Sequence, residues 1–259
     1  MPIALTYAIG DVHGRDDLLR ALIAACVDDA AKIGATPRFI FLGDICDKGP
    51  RSRQAFEVVL DVLSEFDGSL MIKGNHDDLF ERSAGRHEER MIVAWLTRGG
   101  VPTLESYRRG DLESAIRAVG TMYSDHVRLV AEAPLSFEDG GYLFAHAGMD
   151  PAKPPAEQGE RDLMWAREPF MSHVGDLGRI VVHGHTVVGD LPVVTENRIS
   201  IDTDAYKTGR LTAARLFGDD VTFFQTDGDA SRVIEVDAVR LDRGMGTVLD
   251  AAYDRRMAA

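Results

Sequence analysis

The sequence predicts an α/β fold assembled from βαβ units, and three observations carry that prediction. Apolar, β-branched runs alternate with amphipathic stretches of helical period. Each of the first three runs ends in a glycine-led polar motif. A chain of 259 residues with 45% apolar content can bury a substantial core. Length alone also allows two smaller domains, but the alternation favours one, spanning residues 1–259, with a helical insertion at about 79–133 and a C-terminal extension at about 229–259.

The elements follow in order. Ile3 to Ile9 reads as a strand that runs into Gly10-Asp11-Val12-His13-Gly14. Arg15 to Gly34 carries Leu18, Leu19, Leu22, Ile23, Ala25 and Cys26 at helical spacing, with Asp16 and Asp17 at the positive end of the helix dipole and Gly34 as its stop. Pro37 to Leu42 is the second strand, ahead of Gly43-Asp44-Ile45-Cys46-Asp47-Lys48-Gly49, and Arg51 to Phe66 is a helix facing inward through Phe56, Val59, Leu60 and Leu63. Leu70 to Ile72 is a third strand, ahead of Gly74-Asn75-His76-Asp77. From Leu79 to Ala133 the pattern is helical, broken at Gly85, Gly99-Gly100-Val101-Pro102 and Gly110, and is expected near the mouth of the site. Leu135 to Phe137 and Tyr142 to Ala145 flank a hairpin-like turn at Asp139-Gly140-Gly141, and Asp150 to Glu160 is a proline-bearing loop. Further strands are expected at Arg179 to Val182, Pro192 to Thr195, Ile199 to Ile201, Arg210 to Phe217 and Val221 to Gln225. The end, Ser231 to Ala259, offers one short helix at Thr247 to Met257 and no recognisable chemistry.

Charge and cysteine usage narrow the class. A net charge of −13 argues against sequence-independent binding to nucleic acid or an anionic membrane, which needs clustered cations. Cys26 and Cys46 form no paired framework, and Met1-Pro2 leads directly into the first strand without the pattern of a signal peptide. A cytoplasmic, soluble protein is expected.

The polar motifs carry the chemistry. With His146-Ala147-Gly148 and His183-Gly184-His185-Thr186 there are five, the first three at the C-terminal ends of strands, where parallel sheets gather ligand groups. Asp11, His13, Asp44, Asn75, His146 and His185 supply carboxylate, imidazole and amide oxygen, a donor set for a hard or borderline divalent cation. Six donors exceed the need of one ion, and a central Asp44 can bridge two.

In this order the motifs resemble those of the calcineurin-like metallophosphoesterases, above all the phosphoprotein phosphatase branch, whose pattern runs GDxHG, GDxxDRG, GNHE and then single histidines. Ile201-Asp202-Thr203-Asp204-Ala205-Tyr206 is also family-like, so the resemblance spans most of the chain. It implies two packed mixed β-sheets flanked by helices in an α/β/β/α arrangement. It assigns one metal to Asp11, His13 and Asp44 and a second to Asp44, Asn75, His146 and His185. Two divalent ions are implied, manganese preferred, with iron, zinc and nickel open. His76 matches the family's general acid and Asp47 the carboxylate that orients it. A water activated between the ions would attack phosphorus in line, with no covalent enzyme intermediate. Lys48, Arg167 and Asn75 are the implied phosphate contacts.

The implied activity is phosphomonoester cleavage of the serine/threonine phosphatase type, on a phosphoprotein or a small monoester. The alternative is symmetrical dinucleoside polyphosphate hydrolysis, and a third reading is a phosphate-binding module without turnover. Oligomeric state does not follow. Several positions depart from the family pattern, and substrate choice is expected to lie in them. Lys48 replaces arginine. Asp77 replaces glutamate, a variant shared with symmetrical tetraphosphatases, which typically lack the carboxylate of Asp47. Arg98 stands in Trp95-Leu96-Thr97-Arg98-Gly99-Gly100 where bacterial relatives have asparagine, and Asp204 where relatives often have glycine, serving a turn. His183 reads equally as a solvent or substrate contact and as a buried hydrogen-bonded side chain. Cys46 is expected to pack as a small apolar group, and His87, His126 and His173 to be surface or packing residues. Arg86, Arg90, Arg98, Arg108 and Arg109 read more as a solvated face than as an anion site; facing the cleft, they would offset the acidic body and favour a polyphosphate or an acidic phosphopeptide.

Overall fold

The computed structural model describes residues 4–108, 110–218, 220–242 and 247–248. It begins β1 (Ala4–Ile9), α1 (Asp16–Ile33), β2 (Thr36–Phe41), α2 (Ser52–Glu65) and β3 (Leu70–Met71), with the three strands parallel. Buried Asp16 opens α1 and accepts a hydrogen bond from Arg51 Nη2 at 3.0 Å, which ties the start of α1 to the start of α2. The inserted helices follow: α3 (Asn75–Phe80), a π-helical turn at Glu81–Gly85, α4 (Glu89–Trp95), a second π turn at Leu96–Gly100, α5 (Val101–Tyr107), α6 (Leu112–Met122) and α7 (Ser124–Glu132). The expected break at Gly85 is therefore a π turn, which keeps the chain helical while changing its register, whereas at Gly99 the backbone leaves the helix at φ 108° and ψ 14° and kinks, as expected there.

The second half builds β4 (Ser136–Asp139), β5 (Tyr142–Ala145), α8 (Glu160–Met164), β6 (Ile180–His183), β7 (Val193–Val194), β8 (Arg198–Ser200), α9 (Ala205–Thr208), β9 (Thr212–Phe217), β10 (Asp220–Thr226), β11 (Val233–Val236), β12 (Val239–Asp242) and β13 (Thr247–Val248). One sheet runs β11-β10-β9-β1-β2-β3 and the other β13-β12-β7-β8-β6-β5-β4; both mix parallel and antiparallel pairs.

Strand periodicity decides what each face meets. Leu5, Tyr7 and Ile9 point to a core shared with α1 and α2, together with Leu18, Leu22, Phe56 and Val59. Ala8, on the opposite face, joins Ile40, Ala214 and Phe223 against Phe144, Val182 and Ile199 of the second sheet. The outer face of that sheet packs Leu143 and Val181 on Met149 and Phe170. Two mixed sheets thus stack face to face and helices flank them. Among the described residues no helix is long and apolar enough to cross a membrane.

Two expectations about the end need correction. Ser231 onward, where only a helix was expected, holds strands β11 and β12: β11 extends the first sheet beside β10, and β12 pairs in parallel with β7 in the second. The expected helix at Thr247 to Met257 does not begin as one, because Thr247–Val248 pairs antiparallel with β12; residues 249–259 lie outside the described residues.

Replacing fully buried Phe41, at the end of β2, by alanine should lower the unfolding free energy by about 3–5 kcal/mol in urea titration. A loss below about 1 kcal/mol would contradict the packing described for β2.

Candidate functional site

Five loops converge at one edge of the stacked sheets, and their backbones are bonded to one another before any side chain acts. The carbonyl of Asp44 accepts from Val12 N–H (3.1 Å) and His13 N–H (2.9 Å), locking the loop after β2 to the loop after β1. The Asp44 N–H donates to Asp77 Oδ2 at 2.7 Å, and Asp77 also accepts from the N–H groups of Gly74 (3.1 Å) and Ile45 (3.0 Å). Gly184 N–H reaches the carbonyl of His146 at 2.9 Å, joining the loops after β5 and β6. Contact is close enough to require glycine, as two positions illustrate. A Cβ on Gly74 would stand 2.2 Å from Asp44 Oδ1, and one on Gly184 would stand 2.0 Å from Asp11 Oδ1. Among the described residues, five of the seven non-glycine positions with positive φ lie here: His13, Asp44, Asp47, Lys48 and His185, against His87 and Asp204 elsewhere. Each such residue costs about 1–2 kcal/mol, so packing and hydrogen bonds around the site must sustain the strain.

The six residues with donor chemistry lie together. Asp44 Oδ1 accepts from His76 N–H (2.9 Å) and lies 3.4 Å from His146 Nε2, while its Oδ2 lies 3.6 Å from His13 Nε2. Asp11 Oδ2 is 4.0 Å from His13 Nε2, and both Asp11 oxygens accept from His185 N–H at 3.2 Å. His13 Nδ1 donates to the Cys46 carbonyl (2.7 Å) and His146 Nδ1 to the Leu42 carbonyl (2.8 Å). A carbonyl only accepts, so each imidazole carries its proton on Nδ1 and turns the Nε2 lone pair toward the cluster, as metal-binding histidines do.

Three observations show that these residues fit metal ions. First, buried His185 Nε2 has no hydrogen-bond partner. Second, the His146 Nε2 lone pair lies 2.9 Å from Asn75 Oδ1, itself an acceptor; a shared cation reconciles the two, as does a turned amide. Third, charge is unbalanced. Burial, then Asp202 and Asp44, push the Asp11 carboxyl well above its usual range, and burial holds the His13 and His146 imidazoles neutral. Burial and then His146 take His185 down to about 3. Burial also works to raise Asp44, but the basic side chains around it, His76 and Lys48 among them, outweigh it and hold its carboxyl below the usual range. Cations relieve such a set of carboxylates and neutral imidazoles. Two groups can each hold an ion: Asp44, His146 and His185, and, sharing Asp44, a group with His13. His76 lies within reach of the second, yet Asp44 and Asp47 raise its proton affinity against the effect of burial. A protonated ring is a poor ligand, which leaves Asp11 as the better third donor.

His76 instead forms a pair with Asp47. Its Nδ1 lies 2.7 Å from Asp47 Oδ2, and Asp47 is fully buried. The other oxygen, Oδ1, accepts from Trp95 Nε1 and the Thr103 hydroxyl, each at 2.8 Å. Sequence reasoning gave Trp95 and Thr103 no role. A buried indole N–H must find an acceptor, but nothing local names an acceptor 48 positions away.

The remaining expectations divide. Lys48 joins the cluster: its Nζ is 2.8 Å from His13 Nε2, capping the lone pair a cation would take, and lies over the Tyr206 ring at 5.3 Å. Arg167 is exposed, and its charge is felt at His185. It lines a cleft with Arg161 and half-exposed Trp165, whose ring meets His185 edge-on. Both His183 nitrogens are engaged, Nδ1 with the Gly184 carbonyl and Nε2 with Ser200 Oγ, so the buried hydrogen-bonded reading holds. Cys46 is buried in the apolar core, and Cys26 and Cys46 are both free thiols. Arg86, Arg90, Arg98 and Arg108 are exposed, with Arg86 bound to Glu81; Arg109 lies outside the described residues.

Asp77 requires a correction. Expected to help choose substrate, it is fully buried and spends both oxygens on loop amides, so it shapes the loops instead. Asp204 serves the turn expected of it, at φ 55° before α9. Buried Asp202, raised to about 6 chiefly by burial, is a further acidic member of the cluster that sequence reasoning left without a role.

The residues of this cluster all lie within a stretch that resembles known proteins. A family model described as calcineurin-like phosphoesterase matches residues 5–207. Bis(5'-nucleosyl)-tetraphosphatase PrpE, asymmetrical, of Anoxybacillus flavithermus is 26% identical over 230 residues, covering 80% of this chain and 88% of that protein. The symmetrical bis(5'-nucleosyl)-tetraphosphatase of Methylococcus capsulatus is 27% identical, covering 69% of this chain and 51% of that one. A crystal structure described provisionally as a diadenosine tetraphosphatase superposes with a TM-score of 0.60 at 19% identity, covering 86% of this chain and 97% of the other.

Manganese restored to chelator-treated protein at about 100 times its Kd should stabilise the fold by about 2.7 kcal/mol per occupied site, read by calorimetry. Asp44→Asn should lose most of that gain, and a full gain in the variant would contradict a carboxylate shared by both groups.

Proposed function

The chain belongs to the calcineurin-like phosphoesterase family and is a phosphoric ester hydrolase, and on that premise we propose that it cleaves phosphomonoesters in the manner of serine/threonine phosphatases. The observation that carries this reading is the 2.7 Å pair of His76 Nδ1 and Asp47 Oδ2 at the rim of the metal-fitting cluster. Asp11, His13 and Asp44 would hold one divalent ion, and Asp44, Asn75, His146 and His185 a second; manganese is the working choice. Bound there, the ions would supply an activated water and neutralise phosphoryl charge.

The chain's own groups do the rest. Lys48 and Arg167 bring positive charge to the phosphoryl oxygens, Lys48 without the two-point fork of an arginine. Asn75 offers its amide to the same oxygens. An alkoxide is a poor leaving group unless it is protonated as the bond to phosphorus breaks. His76 Nε2 would donate that proton, while Asp47 on the opposite nitrogen stabilises the imidazolium before transfer. Elevated proton affinity at His76, produced by Asp44 and Asp47 against burial, supports a ring that still carries its proton near neutrality.

A second reading, dinucleoside polyphosphate hydrolysis, is favoured by the names of the relatives and by the cleft beside His185, where an aromatic face at Trp165 and the cations Arg161 and Arg167 suit a nucleotide.

His76→Asn should lower kcat by about 10²–10⁴-fold with a much smaller change in KM; wild-type turnover at equal metal occupancy would remove the acid role. Diadenosine tetraphosphate and phosphopeptides offered to the manganese form separate the two readings. Faster phosphopeptide turnover supports the first. Preferential cleavage of the dinucleotide supports the second, with ADP alone marking a symmetrical cut and ATP plus AMP an asymmetrical one.

A further inference from the structure

The inserted helices hold the loop that carries the acid's partner, and they do so through few, identifiable bonds. Asp47 and Lys48 are consecutive non-glycine residues with φ of 73° and 63°. One short piece of the insertion, the end of α4 to the start of α5, meets both. Trp95 Nε1 and the Thr103 hydroxyl each donate to Asp47 Oδ1 at 2.8 Å. Asp47 N–H donates back to Thr103 Oγ1 at 2.9 Å and toward Ser52 Oγ at 3.1 Å, and the two hydroxyls lie 2.9 Å apart. Lys48 N–H donates to the Gly99 carbonyl at 3.0 Å. Trp95, Thr103 and Ser52 are all fully buried, so water cannot replace any of these partners.

Two donors on Oδ1 fix the plane of the Asp47 carboxylate and leave Oδ2 alone to face His76 Nδ1. An imidazole aimed by one oxygen of a rigid carboxylate has its other nitrogen aimed as well. We propose that Trp95 and Thr103 are positioning residues for proton donation: the insertion acts on the chemical step by holding Asp47, without touching substrate. This rests on the reading of His76 as general acid.

Leaving-group dependence tests it. An alkyl phosphate, such as a phosphoserine peptide, releases an alkoxide that needs the proton, whereas p-nitrophenyl phosphate releases an anion that is already stable. Trp95→Phe keeps the ring and removes the N–H; Thr103→Val keeps the shape and removes the hydroxyl; Thr103→Ser restores it. In the manganese-loaded full chain, Trp95→Phe and Thr103→Val should lose about tenfold more kcat on the peptide than on p-nitrophenyl phosphate. KM and metal content should stay near wild type, and Thr103→Ser should recover most of the loss. Equal losses on both esters, or no loss on either, would overturn the proposal, because a merely structural role does not distinguish leaving groups. His76→Asn is assayed beside them. If it shows no leaving-group dependence, the acid reading fails and this proposal with it; if it alone shows the dependence, only the positioning role of Trp95 and Thr103 is lost.

Discussion

One buried carboxylate, Asp44, must remain charged where loops from both sheets meet, and much of the structure around it answers that requirement. Its carbonyl binds the loop after β1, its N–H binds Asp77 in the first turn of α3, and its side chain touches His76 and lies beside His13 and His146. Desolvating a carboxylate is expensive unless opposite charge or donors surround it. Here the basic side chains around it, His76 and Lys48 among them, prevail over burial. The same crowding explains why the backbone is left-handed at Asp44 and why Gly74 carries no side chain.

From that centre the site has two electrostatically different sides. On one side, neutral imidazoles with Nδ1 locked on backbone carbonyls present lone pairs to a space lined by acids, an arrangement built to receive positive charge. On the other, Asp47 is shielded from solvent and bound to three donors, His76, Trp95 and Thr103, which favours a protonated ring next to a group of unprotonated ones. Adjacent histidines, with ring centroids 5.0 Å apart, are thus shifted in opposite directions: burial lowers the proton affinity of His13, while Asp44 and Asp47 raise that of His76 against burial.

What could be read from sequence was what is local. The strands and helices from Ala4 to Met71 announce themselves by period, and the polar motifs sit where those strands end, so the residues that converge were visible as a group. The hairpin at Gly140-Gly141 is likewise a local turn. Non-local partnerships were not visible. Thr103 lies 56 positions from the carboxylate it binds, and Asp77 looked like a variable neighbour of His76 until its three amide contacts placed it inside the loops. Strands β11 and β12 were missed because each rests on pairing with an existing strand rather than on a pattern of its own. His183 stood open between two readings because only the fold supplies Ser200 as its partner.

The central claim is that two ions share Asp44. Crystals grown with manganese and measured at its absorption edge test it most directly. Two anomalous peaks about 3.5–4 Å apart, both in contact with Asp44, are the predicted result. A single peak, or peaks that leave Asp44 outside the coordination, would contradict it.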